Sequence, residues 1–166
     1  HDERNIHQKD LLLELVELKK IGKIENVGAS IYIKKGATFD LRSFDVIQCQ
    51  GNAIDRAYLE LLSRVHTIFL RSVFLQGLLL SDVDKLPEFL RSETSLFESW
   101  DRYCREAGYT KLEMCLYHSS AAGVNALVVG CSSEGEFNEI ASSFERAKDI
   151  TDVPLFRVSN VDEVLI

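Results

Sequence analysis

The sequence predicts an α/β fold, a parallel sheet of four strands covered by helices. Helical and strand-like segments alternate along the chain, and the strands are continuous apolar runs, as in sheets buried on both faces. Three consecutive strands begin near Ile24, Phe44 and Thr67, roughly twenty residues apart, which is the rhythm of a (β/α) barrel or of a doubly wound sheet.

The elements follow in order. "DLLLELVELKKIG" places Leu11, Leu15 and Leu18 on one helical face, with Lys19 and Lys20 in the last turn and Gly22 where a C-terminal cap belongs. Residues 24–32 are short, β-branched and end in small residues, so they read as a strand. "FDVIQCQ" (44–50) is a second strand. "DRAYLELLSRV" (55–65) reads as a helix with Asp55 as N-cap, and "HTIFLRSV" (66–73) as a third strand. Helical pieces are predicted at 86–90, at 94–107 ending on Gly108, and at 111–120. "NALVVG" (125–130) is the fourth strand and 133–148 a closing helix. Residues 149–166 form a tail with only a weak apolar pattern, and 1–166 is expected to be a single domain.

At 46% hydrophobic and 27% charged, the 166 residues have the composition of a globular domain with a real core. A formal charge of −7 argues against nucleic acid, which asks for a basic stripe, and against anionic membrane surfaces. No apolar run approaches the ~18 residues of a membrane-spanning helix. The four cysteines (Cys49, Cys104, Cys115, Cys131) show neither a C-x-x-C pair nor zinc spacing; reduced thiols in a cytoplasm are the expectation. Cys49 and Cys131 sit in apolar runs and are expected to behave as small hydrophobes. His7, His66 and His118 have no partners by spacing and read as surface or core residues.

Each strand finishes in polar or small groups: Gly28-Ala29-Ser30, Gln48 with Gln50, Arg71-Ser72, and Gly130-Cys131-Ser132. In α/β folds the carboxyl ends of the strands form the ligand site. Taken singly these are ordinary strand terminators; as a set they form a polar rim.

The same segments carry a family resemblance. "ELKKIGKIENVGASIY" resembles the helix-to-strand junction "L-K-x-x-G-K-I-R-x-I-G-V-S-N" of aldo/keto reductases. "FDVIQCQGNAIDR" is similar to "D-x-V-Q-x-x-Y-N-x-L-D-R", "FLRSVFLQGLLL" to "A-R-S-V-F-L-Q-G-L-L", and "ALVVGCSSEGEFNEIASSF" to "V-I-V-G-x-x-S-x-x-Q-L-x-E-N". The four matches are collinear from about Lys19 to Phe144. They imply half of a TIM (β/α)8 barrel, strands five to eight with their helices, and transfer of hydride between NADP or NAD and a small carbonyl compound. By position, Ser30 and Gln48 are implied to hold the nicotinamide carboxamide. Arg71 stands where many members place a stacking aromatic ring, and its planar guanidinium can stack as well. Ser72 through Gly77, Gln76 included, match the loop that wraps the pyrophosphate. Gly130, Ser132 and Ser133 match the adenosine-phosphate region, toward which the helix starting near Ser133 is implied to point its N-terminus, as suits an anion. Glu136 stands where many NADPH-dependent members carry an Arg, which lowers NADPH relative to NAD, and Glu139 matches an acid on the adenine side.

A barrel of this kind runs to roughly 250 residues or more. The resemblance implies a catalytic Asp, Tyr and Lys that nothing in this chain matches, so the chain alone is expected to be inactive. His1, in "HDERN", is similar to the His of the family's "L-L-H-D-P" and is its one catalytic candidate here. A half-sheet would expose its concave side, lined by residues such as Val27, Ile47, Phe69 and Val128 or their alternates, and would leave two open edges. The chain is therefore expected to be part of a longer polypeptide, or else to pair with a second copy or with a separate chain that supplies the missing half. The rival reading is a non-catalytic nucleotide-binding or structural module.

Overall fold

The computed structural model describes residues 9–33, 40–121 and 123–158. Helix α1 (Lys9–Lys20) leads into a four-stranded sheet of β1 (Gly28–Ser30), β2 (Val46–Gln50), β3 (Thr67–Arg71) and β4 (Ala126–Leu127), with α2 (Thr94–Ala107) and α3 (Lys111–Ser120) between β3 and β4, and α4 (Glu134–Lys148) closing. All strands are parallel, in the order β1-β2-β3-β4, so β1 and β4 are the two edges.

The helix ends follow from local chemistry. After α1 the chain turns on Gly22 (φ 73), and the Lys23 N–H reaches back to the Leu18 carbonyl. Gly108 (φ 77) caps α2 in the same left-handed conformation. Helix α3 starts on a reciprocal box: the Thr110 hydroxyl accepts from the Glu113 N–H, and the Glu113 carboxylate accepts from the Thr110 N–H. Helix α4 starts on Ser133, whose hydroxyl accepts from the Glu136 N–H.

The predicted strands are longer than the observed ones because side chains continue the ladder. Beyond β1, the Gln50 amide receives the Ile33 N–H at 3.0 Å and donates to the Ile33 carbonyl at 2.9 Å. Before β4, Asn125 Oδ1 receives the Ile68 N–H at 2.8 Å. The helix expected over 55–65 is only a 3-10 helix, Ala57–Leu61. Asn52 takes the preceding residues into a turn, its Oδ1 accepting from Ile54 and Asp55, and Asp55 in turn accepts from the Ala57 N–H. That leaves too little chain for a full α-helix before β3. The piece expected at 86–90 is also 3-10, at Val83–Lys85 and Glu88–Glu93.

Register separates the two faces of the sheet. Ile47, Cys49, Ile68 and Leu70 point to one side, where Tyr58 and Leu61 cover them. Gly28, Ser30, Val46, Gln48, Phe69 and Ala126 share the other, half-open side. Of the residues, or their alternates, expected on the open side, Val27 and Ile47 are buried at 3% and 0% exposure, Ile47 on the covered face, whereas Phe69 lies on the open side and Val128 is exposed. The open face is polar at Ser30 and Gln48, which reduces the penalty of leaving it in water.

A second core holds α2, α3, α4 and the tail. Phe97, Trp100, Met114 and Leu116 are buried there, and Trp100 donates to the Leu79 carbonyl at 2.9 Å. The tail, nearly patternless in sequence, is seated on this core by aromatic groups. Tyr117 donates to the Val153 carbonyl at 2.7 Å, Tyr103 donates to the Pro154 carbonyl at 2.6 Å, and Phe156 packs on Trp100 and Tyr103. Helix α1 is less covered than its pattern predicts. Leu15 is half-buried, but Leu11 and Leu18 are exposed, because no described element packs over them. An ion pair from Lys19 to Asp45 at 2.6 Å ties this helix to the sheet. Among the described residues, no helix is long and apolar enough to cross a membrane.

Candidate functional site at the strand ends

Ser30 and Gln48 are register partners on adjacent strands, and Gln48 Nε2 donates to Ser30 Oγ at 3.0 Å. With its oxygen accepting, the Ser30 hydroxyl keeps its proton to give, and Gln48 Oε1 keeps its lone pairs. One donor beside one acceptor is the complement of a primary carboxamide.

Arg71 ends β3 on the same face. Its Nη2 donates to the Ile31 carbonyl at 3.2 Å and its Nη1 to Ser72 Oγ at 3.3 Å, so the side chain reaches from the end of β3 to the end of β1. The guanidinium carbon lies 4.1 Å from the centre of the Tyr32 ring. Asn52 Nδ2 donates to the Ser72 carbonyl at 3.3 Å, which fixes the start of the next loop to β2.

That loop is conformationally unusual. Ser72, Leu75 and Gln76 have φ of 62°, 46° and 55°, and Gly77 has 87°. Left-handed backbone at non-glycine residues costs on the order of 1 kcal/mol or more each and persists only where surroundings impose it. Here buried Val73 and Leu79 anchor the loop, and the Ser72 and Phe74 carbonyls accept from the Leu75 and Gly77 N–H groups. Such strain is concentrated at ligand-binding turns.

Beyond the loop lies a cleft of about 570 Å³, lined by Phe74, Gly77, Leu80, Lys111, Gly130, Glu136, Glu139 and Ile140 among others. Four residues singled out from sequence thus line one cleft: Gly77, Gly130, Glu136 and Glu139. Lys111 is held by Asp101 at 2.8 Å and by the Ser81 carbonyl at 2.8 Å. The Glu136 carboxylate accepts from the Ser132 N–H, so a negative charge already rests at the start of α4.

The expected residues therefore fall into two groups. Ser30, Gln48, Arg71 and Ser72 form a hydrogen-bonded rim, and Gly77, Gly130, Glu136 and Glu139 line the cleft, with Ser132 joined to it through Glu136. Gln76 is exposed in the loop between them and Ser132 is exposed. His1 and His7 lie outside the described residues. Cys131, expected to be a small hydrophobe, is exposed because β4 ends at Leu127; Cys49 is buried, and burial pushes its thiol up to about 11. Tyr32, Asn52 and Lys111 were not among the expected site residues. The "NAID" turn signals Asn52, whereas nothing in spacing signals Tyr32, which lies beyond the end of β1.

No family model matches the sequence, and no curated protein matches it. Solved structures do. An aldo-keto reductase from Bacillus halodurans matches in its holo form over 87% of this chain and 56% of that one, with a TM-score of 0.56 and 18% identity. Its apo form matches with the same TM-score and 19% identity. The glycerol dehydrogenase of Gluconobacter oxydans matches over 89% and 57%, with a TM-score of 0.51 and 16% identity. The chain spans little more than half the length of these structures. Its fold is that of half a TIM barrel of the aldo-keto reductase kind.

Proposed function

We propose that the chain supplies the coenzyme-binding half, strands five to eight, of an aldo/keto reductase-like oxidoreductase using NAD or NADP. A bound nicotinamide dinucleotide supplies the hydride acceptor or donor for a small carbonyl or alcohol. Ser30 and Gln48 hold the carboxamide, donor to oxygen and acceptor to nitrogen. The turn from Ser72 to Gly77 approaches the pyrophosphate with its backbone, where Gly77 carries no side chain to obstruct. Gly130, Ser132, Glu136 and Glu139 surround the adenosine. Glu136 favours NAD: its carboxylate suits a ribose hydroxyl and repels a 2′-phosphate.

The observation that carries this reading is the Ser30–Gln48 pair standing on the same strand-end rim as the loop that opens the cleft. The chain carries no match to the Asp, Tyr and Lys of reductase chemistry, so it binds without turning over, and a front half-barrel or second copy completes the enzyme. The test is a calorimetric titration with NADH beside an assay with NADH and a simple aldehyde. Dissociation constants on the order of micromolar without turnover are expected. No heat of binding at millimolar NADH would refute the proposal, and turnover by the chain alone would refute its assignment as the non-catalytic half.

A further inference from the structure

Among the described residues, Arg71 is a half-buried cation with no carboxylate partner. Lys19, Lys85, Lys111, Arg105 and Arg146 each sit on a carboxylate. Among the described residues Arg71 pairs with none, although acidic residues outnumber basic ones 26 to 19. Its partners are neutral: the Ile31 carbonyl, the Ser72 hydroxyl and the face of Tyr32. A guanidinium has five N–H groups in a rigid plane, and only two are engaged here by described residues. The half-buried cation is therefore fixed in orientation, short of acceptors, and set at the mouth above Ser30 and Gln48. Holding it so in advance removes ordering that a ligand would otherwise have to impose. The fork matches the paired oxygens of a carboxylate or phosphate.

We infer that Arg71, with Tyr32 as its positioning residue, is a receptor for an anionic group, carboxylate or phosphate, of the ligand that enters this mouth. The anion has two sources: the substrate, or the pyrophosphate of the coenzyme. Only the second rests on the function proposed above. The experiment follows the Arg71 side-chain N–H resonance in the isotopically labelled 166-residue chain, titrated with inorganic phosphate and, separately, with NADH. Wild type is compared with Arg71→Lys, Arg71→Gln and Tyr32→Leu.

A saturable shift of the Arg71 signal by phosphate is expected in the wild type and, at weaker affinity, in Tyr32→Leu; phosphate affinity read by calorimetry should fall about ten-fold in Arg71→Gln and less in Arg71→Lys. If Arg71→Gln binds NADH as wild type does, and phosphate still reaches Arg71 with NADH bound, the anion belongs to the substrate. If NADH affinity falls alongside and NADH excludes phosphate, it belongs to the coenzyme. An Arg71 signal unmoved by either titrant overturns the inference, and this readout in the wild type does not depend on whether a variant folds. A chain that ignores NADH while Arg71 still answers phosphate would remove the coenzyme reading and leave the anion receptor standing.

Discussion

Lowering the pH from 7.5 to 5 should destabilise this protein by about 2 kcal/mol through His118 alone. The ring is 1% exposed and lies against Trp100, Tyr103 and Tyr117. Tyr103 donates its proton to the Pro154 carbonyl, so its oxygen accepts from His118 Nε2 at 3.0 Å. That assigns the hydrogen to Nε2 and leaves Nδ1 buried without a partner among the described residues. Burial, reinforced by the charge of Arg56, lowers the His118 pKa from 6.5 to about 4. The unfolded chain thus takes up a proton near pH 6.5 that the folded chain refuses until about pH 4. Stability is whole above pH 6.5 and falls as the pH drops between these values, by about 3 kcal/mol in total, of which about 2 kcal/mol is lost by pH 5. Urea unfolding at pH 7.5 and 5 measures it. His118→Gln keeps an amide N–H for Tyr103 and removes the charge, so its stability should change with pH by about 2 kcal/mol less than wild type over that range. Equal pH dependence in the two proteins would refute the assignment of a neutral, buried His118.

Glu136→Gln should narrow the preference for NADH over NADPH, read as a ratio of calorimetric dissociation constants, because the repulsion of the 2′-phosphate is relieved. Gly51→Ala should lower stability by about 1–3 kcal/mol in urea unfolding, since the added carbon would lie 2.6 Å from Leu70 Cδ1 and 2.8 Å from Tyr58 Cε1. Glu113→Gln should lower stability by about 1 kcal/mol, a figure discounted because Arg146 is 57% exposed. Burial pushes the Glu113 carboxyl up, but Arg146 and the Thr110 hydrogen bonds outweigh it and hold the pKa below its usual value. That contribution is present above the unfolded carboxylate range and is lost as the pH falls through the folded value, so the variant and wild type should converge in acid melts.

Helices α2, α3 and α4 were legible because their signals are local. Gly108 stops α2, Ser133 caps α4, and apolar spacing marks the buried faces. The T-K-L-E box at Thr110 is an equally local signal for the start of α3. The strands were found in number, order and direction, since continuous apolar runs between helices force parallel pairing. Their ends were not, because Gln50 and Asn125 replace ladder bonds with side chains, and no periodicity encodes that. The 55–65 segment carries a helical pattern, yet the Asn52 turn and the short return to β3 leave room only for a 3-10 helix. That Ser30, Gln48 and Arg71 share one strand-end rim was legible because strand-end polarity is a sequence property. The Tyr32–Arg71 stack was not, since it depends on where a chain leaves the sheet. The exposure of Leu11 and Leu18 was missed for the same reason: a pattern shows which face wants cover, not whether cover is there.

Backbone hydrogen exchange of the chain with and without saturating NADH tests the placement of the coenzyme most directly. Slowed exchange is expected over 72–77 and 130–136, with a smaller effect over 28–31 and 48–52. Uniform exchange in both conditions, or protection confined to α1 and the tail, would contradict it.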